Sequence, residues 1–188
     1  MIARAIGVSL LLALPAVAAV SLGDAAGRYV INAGGSTIAF SIPKAGGGAL
    51  SGTFGRFRGD IRISGQNIAS SQVDITIFPD SVRTGESRTD AFLKSDAVFD
   101  TANEKEIRFR STSVKRTGDS TAVVSGPLTA RGRTGNESFN VELESLSGRA
   151  VSFRVTGRVL RSRYGMDVGT PIYSNIVDFD MTLAARRG

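Results

Sequence analysis

From Arg28 onward, apolar and polar residues alternate with a period of two. In residues 36–42, Ile38, Phe40 and Ile42 share one face; in residues 57–63, Phe57, Ile61 and Ile63 oppose Arg58, Asp60 and Arg62. The pattern returns at Val73, Ile75 and Ile77; at Ile107 and Phe109; and at Phe139, Val141 and Leu143. It recurs at Val151, Phe153 and Val155, and again at Val177, Phe179, Met181 and Leu183. Such strands bury one face and wet the other, as antiparallel sheet does. Turn signals separate the runs: Ala33-Gly34-Gly35, Gly46-Gly47-Gly48, Ser64-Gly65-Gln66-Asn67, Thr117-Gly118-Asp119 and Ser147-Gly148. The pattern predicts about eight strands with short connections and no crossover helices. A meander of that length must protect two edges, and closure removes both. The expected fold is therefore all-β, an antiparallel up-and-down barrel of about eight strands.

Residues 86–95 break the rhythm. They predict one short helical insert of about two to three turns, covering an end of the barrel. Thr84 or Ser87 would cap it, Phe92 and Leu93 would pack inward, and a further turn is expected near residues 97–102. Arg83 and Arg88 with Asp90 and Asp96 read as pairing around this helix.

Residues 1–26 are expected to lie outside the fold, leaving one domain over residues 27–188. Arg4 precedes an apolar stretch, residues 5–20, interrupted by Gly7, Ser9 and Pro15, and the small residues Ala16-Val17-Ala18 follow. This is the layout of a secretory signal peptide cleaved after residue 18 or 19. The uncharged residues 5–23 also approach the ~20 needed for a membrane anchor, but Pro15 and the small residues favour cleavage. The expected location is periplasmic or secreted.

Composition narrows the chemistry. The 188 residues include no His, no Cys and no Trp. That removes imidazole bases, thiol nucleophiles, disulfides, lipid attachment through Cys, and the usual zinc, haem and iron–sulfur ligand sets. No metal and no cofactor is expected. An enzyme would have to use Ser, Lys or carboxylates, and no G-x-S-x-G elbow is present. Asp178 and Asp180 stand two apart on one strand face, whereas glycoside chemistry needs carboxylates across a cleft. The net charge is +6, with 19 Arg among 23 basic residues. A basic surface module for anionic polymer or membrane is thus a second reading, with transient membrane contact. Nucleic acid is not expected, because aromatic-rich basic stretches are missing.

Several stretches in order resemble the YceI-like family of exported, lipocalin-like barrels, from about Tyr29 to Leu183. They are Tyr29-Val30-Ile31, Ser36-Thr37-Ile38-Ala39-Phe40, Gly52-Thr53-Phe54-Gly55-Arg56-Phe57-Arg58-Gly59, and Asp80-Ser81-Val82-Arg83-Thr84-Gly85. Arg88-Thr89-Asp90-Ala91-Phe92-Leu93-Lys94-Ser95, Ile107-Arg108-Phe109, Gly126-Pro127-Leu128-Thr129-Ala130-Arg131-Gly132 and Arg161-Ser162-Arg163-Tyr164-Gly165-Met166 continue the series. The resemblance implies a binding protein rather than an enzyme, holding a polyisoprenoid or quinone-like lipid for carriage, storage or stress response. Family members often carry a His between the positions of Phe40 and Gly52. Here Lys44 stands at that place, and Arg163 stands where an acidic residue is more usual.

The candidate ligand-binding residues are the inward apolar side chains Phe40, Ile42, Phe57, Ile75, Ile77, Phe92, Leu93, Phe109, Phe139, Val141, Phe153, Val155, Tyr164 and Met166. The competing reading is that they fill a solid core, which alternation alone does not distinguish. Arg161, Arg163 and Lys44 are the headgroup candidates, because cations, and Arg above all, can hold a phosphate. Their competing reading is a salt bridge at the barrel end.

Overall fold

A computed structural model describes residues 20–188. β1 (Gly27–Ile31) and β2 (Thr37–Pro43) are two halves of one bent stave. A 3-10 turn at Ala33–Gly35 separates them, and the Asn32 side chain accepts from the Gly34 N–H at 3.2 Å. β3 (Ala49–Phe54) and β4 (Phe57–Ile63) return antiparallel, β3 on β2 and β4 on β1. The next stave is β5 (Gln72–Ile77) followed by the two-residue β6 (Val82–Arg83). It is broken near Pro79, whose ring nitrogen has no hydrogen to give a ladder. β7 (Ile107–Arg110) and β8 (Ser113–Arg116) both pair with β9 (Thr121–Ala130). The long strands β10 (Arg133–Ser147), β11 (Ala150–Leu160) and β12 (Ile176–Arg187) follow as simple neighbours.

β12 closes the sheet. Its free side pairs with β2, Met181 opposite Ile38, and with β1, Ala185 opposite Ile31. Counting each bent pair as one stave, eight antiparallel staves form a closed up-and-down barrel, as the alternation predicts.

One whole stave, β9, is not visible in the alternation, and neither are the half-staves β1, β3, β6 and β8. The inward residues of β9 include Ala122, Gly126 and Ala130, too small to mark a buried face. Gly126 is small for a reason. The register between β9 and its neighbours shifts by one residue between β7 and β8, so the chain bulges there. A Cβ at Gly126 would collide with the Arg110 carbonyl on that bulge. Pro127 sits opposite the same irregularity, where a missing N–H is tolerated.

α1 (Ser87–Lys94) matches the expected insert to within one residue at each end. Its capping differs from expectation. Glu86 is the N-cap and makes no side-chain cap bond. Thr84 instead donates from both its N–H and its hydroxyl to Asp90, each at 2.7 Å. Leu93 is buried as expected, but Phe92 is 48% exposed and sits at the rim rather than in the core.

The two barrel ends differ. At one end lie the β2–β3 turn, α1 and residues 161–175. At the other lie the turns after β4, β8 and β10, and the chain entry. That entry corrects the expectation that residues up to 26 stay outside the fold. Leu22 and Ala25 are buried in the core, and the Leu22 N–H donates to the Asp119 carbonyl at 2.9 Å. Tyr29 donates its hydroxyl to the Ala25 carbonyl at 3.0 Å, and Arg187 donates to the Ala26 carbonyl at 2.7 Å. The signal-peptide stretch and its cleavage position lie outside the described residues.

Part of the outer face is a network of opposite charges, while Arg28, Arg62, Arg149 and Arg186 have no ion-pair partner among the described residues. Arg56 pairs with Asp80, Arg110 with Asp74, Arg154 with Asp180 and Arg158 with Asp178; Arg58 and Arg108 share Glu106. Asp178 and Asp180 are thus occupied on the solvated face. The pairing expected around α1 does not form: Arg83, Arg88 and Asp96 have no ion-pair partner among the described residues.

Candidate functional site

The inward side chains do not meet across the barrel axis. They leave a cavity of about 630 Å³. Phe40, Ile42, Ile75, Ile77, Phe109, Phe139, Val141, Phe153 and Val155 line its sides. Two aromatic sets stiffen this wall. Phe139 meets Phe109 edge-on at 5.2 Å and Phe179 at 6.4 Å, while Phe54 touches Phe40 at 5.4 Å and Phe99 at 5.7 Å. Phe57 departs from expectation: it is buried but does not reach the cavity wall.

Leu22, Ile63, Ile68 and Val114 line the floor, at the end where the chain enters. The upper wall carries Leu93, Tyr164 and Met166, and the mouth carries Lys44, Thr84, Glu86, Arg88, Thr89, Phe92, Val168 and Tyr173. Among the described residues no buried side-chain nitrogen or oxygen lacks a hydrogen-bond partner. The cavity therefore offers a polar molecule no unsatisfied group inside the barrel, and its recognition chemistry is apolar contact.

The three headgroup candidates separate into three environments. Arg161 lies on the wall but is buried, and its guanidinium serves the backbone. It donates to the carbonyls of Ser174 at 2.8 Å, Val168 at 2.9 Å and Tyr173 at 3.1 Å, and to that of Met166. Four of the roughly five N–H groups of an arginine are thus spent on holding residues 166–174 in place. Burial pushes this guanidinium below its ordinary value, and the charge of Asp167 acts against that. The expectation of a headgroup ligand at Arg161 gives way to a structural one.

Arg163 is not on the cavity wall. It donates to Glu137 at 2.6 Å and to the Asn136 carbonyl at 3.1 Å. Tyr164 donates its hydroxyl to the same Glu137 oxygen at 2.7 Å, leaving its ring to face the lumen. Burial first, and the hydrogen bond to Glu137 second, push the Tyr164 hydroxyl well above the usual tyrosine range. Gly135 makes room for this cluster, since a Cβ there would collide with the Arg163 side chain. Glu137 itself was legible in the sequence. It stands two residues before Phe139 and so shares the inward face of β10.

Lys44 alone of the three stays open. It follows β2 at the turn, forms a β-bridge with Tyr173, and makes no ion pair among the described residues. Sequence reasoning did not select Leu22, Ile61, Val124, Leu128, Phe179, Met181 or Leu183, all of which line the cavity. The β12 residues were marked by clear alternation; Leu22 was not marked at all.

A closed eight-stave barrel around an apolar lumen is an architecture that can be compared directly with known proteins. The YceI-like domain family matches residues 29–185. This chain belongs to that family. Among YceI-like relatives, a UPF0312 protein of Photorhabdus laumondii is 34% identical over 127 residues, 65% of this chain and 66% of that protein. A UPF0312 protein of Pseudomonas syringae is 29% identical over 185 residues, 96% of this chain and 93% of the relative. Among solved structures, Burkholderia cenocepacia BcnA superimposes with a TM-score of 0.76 at 18% identity, covering 82% of this chain and 98% of its own. A polyisoprenoid binding domain from Saccharophagus degradans gives 0.69 at 18% identity, covering 85% and 98%. At these identities the structural likeness speaks for the YceI-like fold.

Proposed function

We propose that the protein is exported and binds one elongated apolar lipid, of polyisoprenoid or quinone type, in the barrel lumen. The observation that carries this reading is the cavity. Its volume of about 630 Å³ lies inside the ~300–1,000 Å³ range of ligand sites. Its sides are mostly apolar from the Leu22 floor to the Phe92 rim; Lys44, Thr84, Glu86, Arg88 and Thr89 stand at the mouth, and Arg62 and Ser71 at the floor end. A long chain would enter between α1 and residues 166–174 and leave its polar end at Lys44 and Arg88. The similarity in fold to a polyisoprenoid binding domain supports the lipid class. Membership of the YceI-like family and the likeness to a polyisoprenoid binding domain support binding rather than turnover as its mode of action. The N-terminal sequence, with its apolar stretch and small residues, supports delivery to the periplasm or beyond. On the barrel sides Arg56, Arg58, Arg110, Arg154 and Arg158 pair with acids, which lowers the free positive charge that a basic surface module would offer there.

The test is organic extraction of the protein purified from its native host, followed by mass spectrometry. One lipid per barrel, with masses spaced by isoprene units, is the expected result. Val124→Trp, which fills the lumen, should lose that lipid. A protein that yields no lipid in any preparation, and takes up no added polyprenyl alcohol, would sink the reading.

A further inference from the structure

Large apolar side chains exposed to solvent are not scattered over this barrel. Among the described residues they are Val30, Phe92, Leu160, Val168, Ile172 and Ile176. All but Val30 lie at the mouth end: on α1, at the end of β11, on the loop that follows, and at the start of β12. Ile172 is 63% exposed and Val168 42%. Loop tips facing only water are expected to be polar, so a cluster of this kind marks a surface that meets something apolar.

The cluster is continuous with the lumen. Phe92 and Val168 are both exposed and part of the cavity wall. Ile172 is tied to the β2–β3 turn, since its carbonyl accepts from the Ala45 N–H at 2.8 Å. Lys44 on that turn and Arg88 on α1 also line the mouth. Neither has an ion-pair partner among the described residues. Of the acids at this end, Glu86 accepts from Thr89, Asp90 accepts from Thr84, and Asp167 offsets the buried Arg161, while Asp96 has no ion-pair partner among the described residues.

We propose that the mouth end is a docking surface for an anionic lipid bilayer, with Phe92, Val168 and Ile172 entering the acyl boundary and Lys44 and Arg88 meeting phosphate headgroups. Apolar contact supplies insertion, and unpaired cations supply preference for negative charge. The barrel then stands with its lumen open toward the membrane, and an apolar chain passes between the two without crossing water. The purpose of docking rests on the lipid-binding reading; the surface chemistry does not.

The test is flotation of the processed protein with vesicles of phosphatidylcholine alone and of phosphatidylcholine with phosphatidylglycerol. Binding to the anionic vesicles is expected, weakened by salt. Phe92→Ser combined with Ile172→Ser should lower it about tenfold or more. Lys44→Gln with Arg88→Gln should abolish the preference for anionic over neutral vesicles. Val30→Ser, at the other end, should change nothing. The proposal is overturned if the wild-type protein floats with neither vesicle, if the mouth substitutions leave binding intact, or if Val30→Ser weakens it equally. Uptake of detergent-dispersed polyprenyl alcohol is read in parallel. Ile172→Ser, off the cavity wall, should keep that uptake while losing vesicle affinity. Uptake without flotation would remove docking alone; flotation without uptake would remove the lipid-binding reading and leave docking standing.

Discussion

The Tyr164 hydroxyl donates a 2.7 Å hydrogen bond to Glu137, and both side chains are sealed from solvent, one on the turn after β11 and the other on the inner face of β10. Arg163 reaches the same carboxylate oxygen from the next position in the chain. Tyr164→Phe removes one of the donors to a buried charge and should cost about 1.5–3 kcal/mol in chemical denaturation. The raised hydroxyl gives a second readout. Tyr164 should ionise well above the usual tyrosine range in an absorbance titration. Its contribution to stability is full below about pH 10, the unfolded value, and is lost as pH rises toward the folded one. Ionisation of Tyr164 at the ordinary tyrosine value, assigned by loss of that signal in Tyr164→Phe, would contradict the buried contact.

The acid limb has a different origin. Arg56 holds the Asp80 carboxyl below its ordinary value, chiefly by a hydrogen bond, with burial opposing. Arg108 does the same for Glu106. Carboxyls lowered in the folded state stabilise it above their unfolded values, and that stability is lost as pH falls through the folded ones. Melting temperature should therefore drop below about pH 4. Because no His and no Cys is present, it should be nearly flat between about pH 5 and 7. Asp80→Asn should lower the melting point at pH 7, and the difference should shrink on acidification.

Leu22 closes the cavity floor from a segment that precedes the first strand. Leu22→Ala should destabilise the barrel by about 2–5 kcal/mol through the void it leaves. On the proposed function it also deepens the lumen, so extracted lipid should shift toward longer chains. A change in stability with no change in lipid length would place the end of the chain elsewhere.

Arg161 ties residues 166–174 to the barrel through backbone carbonyls. Lysine keeps the charge but lacks the planar fork. Arg161→Lys should therefore accelerate amide hydrogen exchange across residues 166–175 while leaving β9 to β11 protected. Uniform acceleration across the barrel would mean that the arginine supports the whole fold, not the loop.

Read alone, the sequence determined the strand class, the staves with strong alternation, the helical insert and the inward face of most candidate residues. These follow from local chemistry, because side-chain parity along a strand is set by the strand itself. Parity says which way Phe40 and Phe57 point. It does not say that Phe40 reaches an open lumen while Phe57 is packed away from it, since that depends on what stands across the barrel. The same limit explains Leu22, whose role comes from where the entering chain is laid after closure. It explains β9 too, where small residues answer a bulge on a neighbouring strand. Arg161 and Arg163 show it most directly. Two arginines two positions apart carry equal local signals, yet one is taken up by the carbonyls of a later loop and the other by Glu137 on a distant strand. Only closure of the barrel brought those partners within hydrogen-bond reach, leaving Lys44 and Arg88 at the mouth with no ion-pair partner among the described residues.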